Sequence, residues 1–150
     1  MLAAAHARGP KAGVDTGMAN EFSVGGEKVA LRSHRLIELQ LPPLYIHSPL
    51  TIPVHVMRGA RDGPRLFISA AIHGDELNGT EIIRRLLRQA VLKRLRGTLV
   101  AVPIVNVYGL LNHSRYLPDR RDLNRSFPGS EKGSLAGRLA NLFMTEIVHN

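Results

Sequence analysis

A histidine and a glutamate three residues apart, in the segment His73-Gly74-Asp75-Glu76, have the side chains best suited to hold a metal ion. An imidazole nitrogen and a carboxylate oxygen are both common zinc ligands, and the small Gly74 lets the backbone bend so that the two side chains converge. In the alternative interpretation, Asp75 caps a helix, Glu76 favours its positive amino-terminal end and His73 lies at the surface. The spacing alone leaves both interpretations open.

A second polar segment lies further along the chain, in a loop from His113 to Gly133 that is rich in Arg, Asp and Pro. It reads Asp122-Leu123-Asn124-Arg125-Ser126-Phe127-Pro128-Gly129. Together with His73-Gly74-Asp75-Glu76-Leu77-Asn78-Gly79, this segment resembles the succinylglutamate desuccinylase and aspartoacylase family, relatives of the zinc carboxypeptidases. The resemblance covers roughly residues 35 to 150, and the two motifs at this separation are much more specific than either motif alone.

The resemblance implies a role for several residues. His73 and Glu76 would bind zinc, and Asn124 with Arg125 would bind the substrate carboxylate. This second role agrees with the chemistry, since a guanidinium donates two hydrogen bonds to a carboxylate and an amide adds another. For Arg125 an ordinary loop salt bridge is the alternative.

A further arginine of the family polarises the scissile carbonyl, and Arg115 in Ser114-Arg115-Tyr116-Leu117 is similar to it. Because the loop spacing differs among relatives, Arg120 or Arg121 could be the counterpart instead. Asp122 could orient a ligand or one of these arginines, although a charged turn residue would look the same in sequence.

The family's third zinc ligand, a histidine in an Asp-Leu-His pattern, and its general base, a glutamate, are expected beyond residue 150. His149 is a weak substitute, because a histidine at a helix end also interacts with the helix dipole. A catalytic zinc normally has three protein ligands. We therefore expect these 150 residues to be a fragment or a truncated product that is inactive on its own.

The elements that position these residues follow from the apolar pattern. Residues 1 to about 25 have almost no apolar periodicity and are expected to form a flexible leader. Residues 26–150 would form the amino-terminal part of a zinc-carboxypeptidase-like catalytic domain. The pattern predicts strands over 36–41, 52–57, 66–72 and 99–105, a turn over 59–64, a helix from 76 that Gly97 ends, and a final helix from 134.

The strand, helix and strand that surround His73 predict a right-handed crossover, and therefore an α/β fold with a mainly parallel or mixed sheet flanked by helices. Ligands of such sheets gather at the carboxyl ends of the strands, where His73 and Asn106 are expected. The chain contains no cysteine, so a metal would be held by His, Asp or Glu, as suits a cytoplasmic enzyme. No apolar run is long enough to cross a membrane.

The sequence thus predicts a Zn2+-dependent amidohydrolase that cleaves the amide bond of a small anionic N-acyl amino acid. A non-catalytic binding domain of the same fold is the main alternative. A nucleic-acid-binding protein would depend only on the formal charge of +8, and no aromatic residues are interleaved with the arginines to stack bases. We expect neither a nucleic-acid nor a membrane partner. A homo-oligomer is left open.

Overall fold

The computed structural model describes residues 2–7, 21–42 and 49–150. The strands are β1 (Leu2–Ala7), β2 (Ser23–Val24), β3 (Glu27–Lys28), β4 (Ser33–Gln40), β5 (Thr51–Arg58), β6 (Arg65–Ala70) and β7 (Thr98–Val102). The α-helices are α1 (Asn78–Leu86), α2 (Val107–Leu111) and α3 (Leu135–Phe143). Short 3-10 turns occupy Ala90–Arg94 and Leu123–Arg125, and a π-helical turn, Met144–Val148, extends α3.

In the described residues the main sheet has five strands in the order β1-β6-β7-β5-β4, and β2 and β3 form a separate hairpin. Among these strands only β6 and β7 run parallel, with Arg65 opposite Thr98 and Ser69 opposite Val102. The pairs β1–β6, β5–β7 and β4–β5 are antiparallel. The prediction of a mixed sheet flanked by helices is therefore confirmed, whereas a mainly parallel sheet is wrong. Parallel pairing needs a long crossover, and among the described strands only the segment around α1 provides one.

Apolar side chains form a separate core on each side of the sheet. The larger core lies against α3 and buries Ile52, Val54 and Val56 of β5 together with Leu139 and Phe143. The smaller core lies against α1 and buries Ile68, Ala70, Ile83, Leu99 and Ala101. The final helix was predicted correctly, and the side chain of Ser134 caps it by accepting a hydrogen bond from the Gly137 N–H.

The helix after His73 is shorter than predicted. It ends at Leu86, and Gln89 has an extended backbone before the 3-10 turn begins. Leu92 and Leu95 of the following segment pack against the smaller core, whereas Val91 is 59% exposed. A spacing of three residues suits a 3-10 turn, so the tertiary packing of these two leucines replaces the regular helix that the pattern predicted.

The expected leader contains ordered structure at both ends. Leu2–Ala7 pairs with β6, and Phe22 and Val24 are buried in the larger core. Most residues of β1 are alanine, which gives little contrast between the two faces of a strand, and sequence reasoning therefore missed β1. Residues 8–20 lie outside the described part of the chain, as does His47. The division into a leader and a catalytic domain stays a prediction.

Candidate metal and substrate site

His73 lies just beyond the carboxyl end of β6, where the chain turns toward α1. Ala71 takes a positive φ of 50°, and its carbonyl accepts a hydrogen bond from the Asn106 N–H at 2.9 Å. The Val105 N–H donates similarly to the Ala70 carbonyl. These bonds join the ends of β6 and β7, so His73 and Asn106 share one edge of the sheet, as predicted.

The imidazole of His73 is 3% exposed and has a carboxylate at each nitrogen. Its Nδ1 lies 2.8 Å from Oε1 of Glu76, and its Nε2 lies 3.1 Å from Oδ1 of Asp122. The surface histidine of the alternative interpretation is therefore not observed. Asp75 also does not cap α1, whose N-cap residue is Leu77 without a side-chain cap bond.

Arg115 joins the two carboxylates on the open side of the site. Its Nε and Nη2 donate to Oδ2 of Asp122 at 3.3 and 3.2 Å, and its Nη1 lies 3.5 Å from Oε1 of Glu76. The Arg115 side chain is 40% exposed, whereas that of Asp122 is 10% exposed. The guanidinium thus contacts the buried carboxylate while remaining accessible to a ligand.

The pKa of the Asp122 carboxyl, which contacts His73, is lowered. Burial raises the pKa of its carboxyl, but hydrogen bonds from His73, from the Asn124 N–H and from Arg115 outweigh burial and lower the pKa overall. Asp122 is therefore ionised at neutral pH. Each ring nitrogen of His73 lies against a carboxylate, so the tautomer that donates to Asp122 leaves the Nδ1 lone pair toward Glu76, and the other tautomer donates to Glu76.

Two glycines bring the His73 segment against the loop that carries Arg115. A Cβ atom on Gly74 would lie 1.9 Å from the carbonyl carbon of Gly109, so no other residue fits there without backbone movement. The Gly74 N–H donates to the Ser114 carbonyl at 3.0 Å. This close approach sets the distance between His73 and Arg115.

Asn106 supports the same junction from inside the protein and is fully buried. Its Oδ1 accepts a hydrogen bond from the Gly109 N–H at 2.8 Å, which caps α2, and its Nδ2 donates to the Arg115 carbonyl at 3.5 Å. The sequence placed Asn106 at a strand end but gave no sign of this supporting contact. An amide directly after a buried strand was the available signal.

The two residues expected to bind the substrate carboxylate lie at the rim. Asn124 and Arg125 are both exposed, and the Nε of Arg125 lies 3.9 Å from Oδ2 of Asp122. That side chain is 86% exposed, so the ion pair is weak and the guanidinium is accessible. The backbone groups of Arg120 and Arg121 form hydrogen bonds within the turn at 117–121, whereas the Arg115 side chain contacts Asp122 and Glu76 beside His73.

The donor set fits one metal ion on the Nδ1 side of His73. In the tautomer with the proton on Nε2, the Nδ1 lone pair and a Glu76 oxygen face each other, and an imidazole with a carboxylate suits zinc. Among residues 21–42 and 49–150, however, no three His, Cys, Asp or Glu side chains converge on one point. Asp122 cannot be the third ligand here, because it occupies the opposite nitrogen of His73.

His149 is not part of this cluster. It follows the π-helical turn, whose Glu146 accepts a hydrogen bond from the Gly25 N–H at 2.8 Å. The same end of the chain contacts the β2–β3 hairpin through Asn150 and the Ser23 carbonyl. The weak candidacy of His149 as a zinc ligand receives no support.

Comparison with known families agrees with this arrangement. The profile of the succinylglutamate desuccinylase/aspartoacylase catalytic domain matches residues 62–150. This range includes His73, Glu76, Arg115, Asn124 and Arg125 and covers more than half of the chain. The chain belongs to this family.

Individual relatives are similar at moderate identity. The N-alpha-acetyl-L-2,4-diaminobutyric acid deacetylase of Halomonas elongata is 32% identical over 98 residues, which is 65% of this chain and 28% of the deacetylase. The product-bound ectoine utilization protein EutE of Ruegeria pomeroyi is 29% identical with a TM-score of 0.69, covering 77% of this chain and 36% of that one.

An aspartoacylase family protein from Mesorhizobium loti is 26% identical with a TM-score of 0.71, and the match covers 87% of this chain and 40% of that protein. The chain therefore spans well under half the length of the relatives it matches.

Within the described part of the chain, no helix combines the length and apolar character needed to cross a bilayer.

Proposed function

We propose that this protein is a zinc-dependent hydrolase that removes the acyl group from a small N-acyl amino acid. The observation that carries the proposal is the buried imidazole of His73, which lies between Glu76 and Asp122 with the Arg115 guanidinium against both carboxylates. The family and the deacetylase relative support amide hydrolysis as the reaction class. We propose the cytoplasm as its location.

In the proposed site, His73 and Glu76 would hold a zinc ion, and Asp122 fixes the orientation of the imidazole through Nε2. Zinc would supply Lewis-acid activation of the acyl carbonyl and of water. Arg115 stabilises the negative charge that develops on the carbonyl oxygen, since its guanidinium is held by Asp122 yet 40% exposed. The close contact between Gly74 and Gly109 holds the segments of His73 and Arg115 at a fixed distance from each other.

The proposed substrate carries a free carboxylate that binds Asn124 and Arg125. These residues lie at the rim beside Asp122, and the Arg125 side chain is 86% exposed. A planar guanidinium binds a carboxylate through two parallel hydrogen bonds, which orients the neighbouring amide toward His73. Which acyl group is removed depends on parts of the pocket outside these residues.

Zinc binding by the purified chain tests the metal site. We expect titration calorimetry and metal analysis to detect zinc binding that falls to background in His73→Ala and Glu76→Gln, because each change removes one donor. The matched controls are His34→Ala and Glu38→Gln, which alter exposed residues of β4. Unchanged zinc binding in His73→Ala would overturn the assignment, and equal losses in the controls would show that binding is nonspecific.

Hydrolysis of N-acetyl and N-succinyl amino acids tests the reaction, measured on a longer form of the chain that supplies the expected third ligand and general base. We expect Arg125→Ala to raise KM by about tenfold or more for substrates with a free carboxylate, and to have little effect when that carboxylate is amidated. An equal effect on both substrates would contradict the assigned role. Carboxylate binding that depends on Arg125, without hydrolysis or zinc, would instead identify a non-catalytic binding domain.

A further inference from the structure

A cavity of about 430 Å³ lies apart from the site around His73. Its walls include Arg58 at the end of β5, Arg32 just before β4, and Leu95 just before β7. Arg58 pairs with Thr98, the first residue of β7, whereas His73 follows the carboxyl end of β6. Because β6 and β7 are parallel, the cavity lies at the amino-terminal ends of these strands and the His73 site lies at their carboxyl ends.

Cationic side chains dominate the polar part of this cavity. Arg32, Arg58 and Lys93 contribute to the wall, and His34 adds an imidazole. None of the described residues that line the cavity is acidic. A concave surface of one charge sign concentrates ions of the opposite sign, so the cavity attracts anions.

Arg58 forms a fixed part of the cavity wall, and its charge is paired with Asp62. It is 7% exposed, and its guanidinium donates to the Val29 carbonyl at 2.8 Å and to Asp62 at 2.9 Å. Arg32 is held nearby with a φ of 56°, and its N–H donates to the Gly59 carbonyl at 3.1 Å. The left-handed backbone of a non-glycine residue is unfavourable, so the surrounding contacts hold Arg32 in this position.

Apolar side chains form the remainder of the wall. Met57, Leu92 and Leu95 line the cavity and also pack against the smaller core. The volume lies within the range of small-molecule sites, which combine an apolar wall with a few directed polar groups. An inorganic anion would leave this apolar wall in contact with water, whereas an anion with a short aliphatic chain would cover it.

We propose that this cavity binds a small amphipathic carboxylate, with its charged group at Arg32 and Lys93 and its aliphatic chain against Met57, Leu92 and Leu95. This site is distinct from the proposed substrate site, since the two share no residue and lie at opposite ends of β6 and β7. The cavity therefore provides a second ligand site on the protein.

Titration of the 15N-labelled chain with hexanoate tests the proposal. We expect saturable shifts of the Gly59 and Ala60 amides, both of which line the cavity. Acetate has the charge without the chain and hexan-1-ol has the chain without the charge, so each should bind about tenfold or more weakly. Equal affinity for acetate and hexanoate, or the absence of saturable shifts at these amides, would overturn the proposal.

Variants distinguish binding of hexanoate in the cavity from its attraction to the positive charge of the surface. Arg32→Gly removes a cation at a position whose φ suits glycine, and Lys93→Ala removes another without altering the core. Each should weaken hexanoate binding about tenfold. The matched control is Arg94→Ala, which removes the neighbouring exposed cation that is outside the cavity wall. An equal loss in Arg94→Ala would show diffuse attraction and contradict a defined site.

Discussion

The two faces of the sheet are stabilised in different ways. On the α3 face, fully buried residues of β5 and α3, such as Ile52 and Leu139, form a continuous core. On the α1 face the core is small, Ile82 is 50% exposed, and α1 carries ion pairs on its surface. Metal-ligand candidates His73 and Glu76 precede α1, whereas the Asp122 loop is anchored in the larger core by Leu123. The site therefore joins a strongly packed half to a weakly packed half.

Matched isoleucine truncations test this difference most directly. Ile52 on the α3 face and Ile83 on the α1 face are both fully buried. We expect Ile52→Ala to lower the free energy of unfolding by about 4 kcal/mol and Ile83→Ala by about 2 kcal/mol. The smaller core can relax around the lost volume, and alanine favours the helix more than isoleucine does. Urea unfolding measures both changes, and equal losses would contradict the comparison.

Gly74→Ala tests the contact that joins the two halves. Because its Cβ would overlap the backbone of Gly109, we expect a loss of about 3 kcal/mol in unfolding free energy. The control is Gly26→Ala, which has a φ of 78° but no heavy atom within 4 Å of the new Cβ, so only backbone strain of about 1 kcal/mol is expected. A loss at Gly74 no larger than at Gly26 would show that the contact is easily displaced.

The surface ion pairs of α1 should have the smallest effect. Hydrogen bonds from Arg84 and Arg85 lower the pKa of Glu81 to about 2 from 4.5. A lowered pKa in the folded state stabilises the protein above about pH 4.5, and this contribution disappears as the pH falls toward 2. We expect thermal midpoints of the wild type and Glu81→Gln to differ slightly at pH 6 and to converge near pH 2.

The exposed Glu38 of β4 provides the control for this titration. If Glu38→Gln lowers the midpoint as much as Glu81→Gln, the loss of one negative charge from a basic protein explains the effect. Addition of salt should also reduce the Glu81 difference, since both arginines are partly exposed.

Local sequence patterns predicted the parts of the fold that depend on neighbouring residues. The strands β6 and β7, the crossover through α1 and the face of α3 follow from apolar spacing. The separation of His73 and Glu76 permitted their contact but did not require it. The antiparallel pairings of β1 and β5 depend on long-range register, which spacing does not encode. The contact between the Asp122 carboxylate and the His73 imidazole joins residues 49 positions apart, so it could be identified only in the folded structure.

The supporting residues were also hidden from the sequence. Gly74 looked like a hinge for the turn, whereas in the structure it is required because Gly109 approaches so closely. Asn106 looked like a strand-end residue, but its side chain binds two separate backbone segments. Both roles depend on distances between segments, and no periodicity in the sequence reports such distances.

The hydrogen bonds of Gly74 and Gly109 also make the junction observable in solution. Both N–H groups belong to buried residues, and they donate to the Ser114 carbonyl and to Asn106 Oδ1. Backbone amides held in this way exchange with deuterium only when the local structure opens. The exchange rates of these two amides therefore report how often the loop of Arg115 separates from the His73 turn.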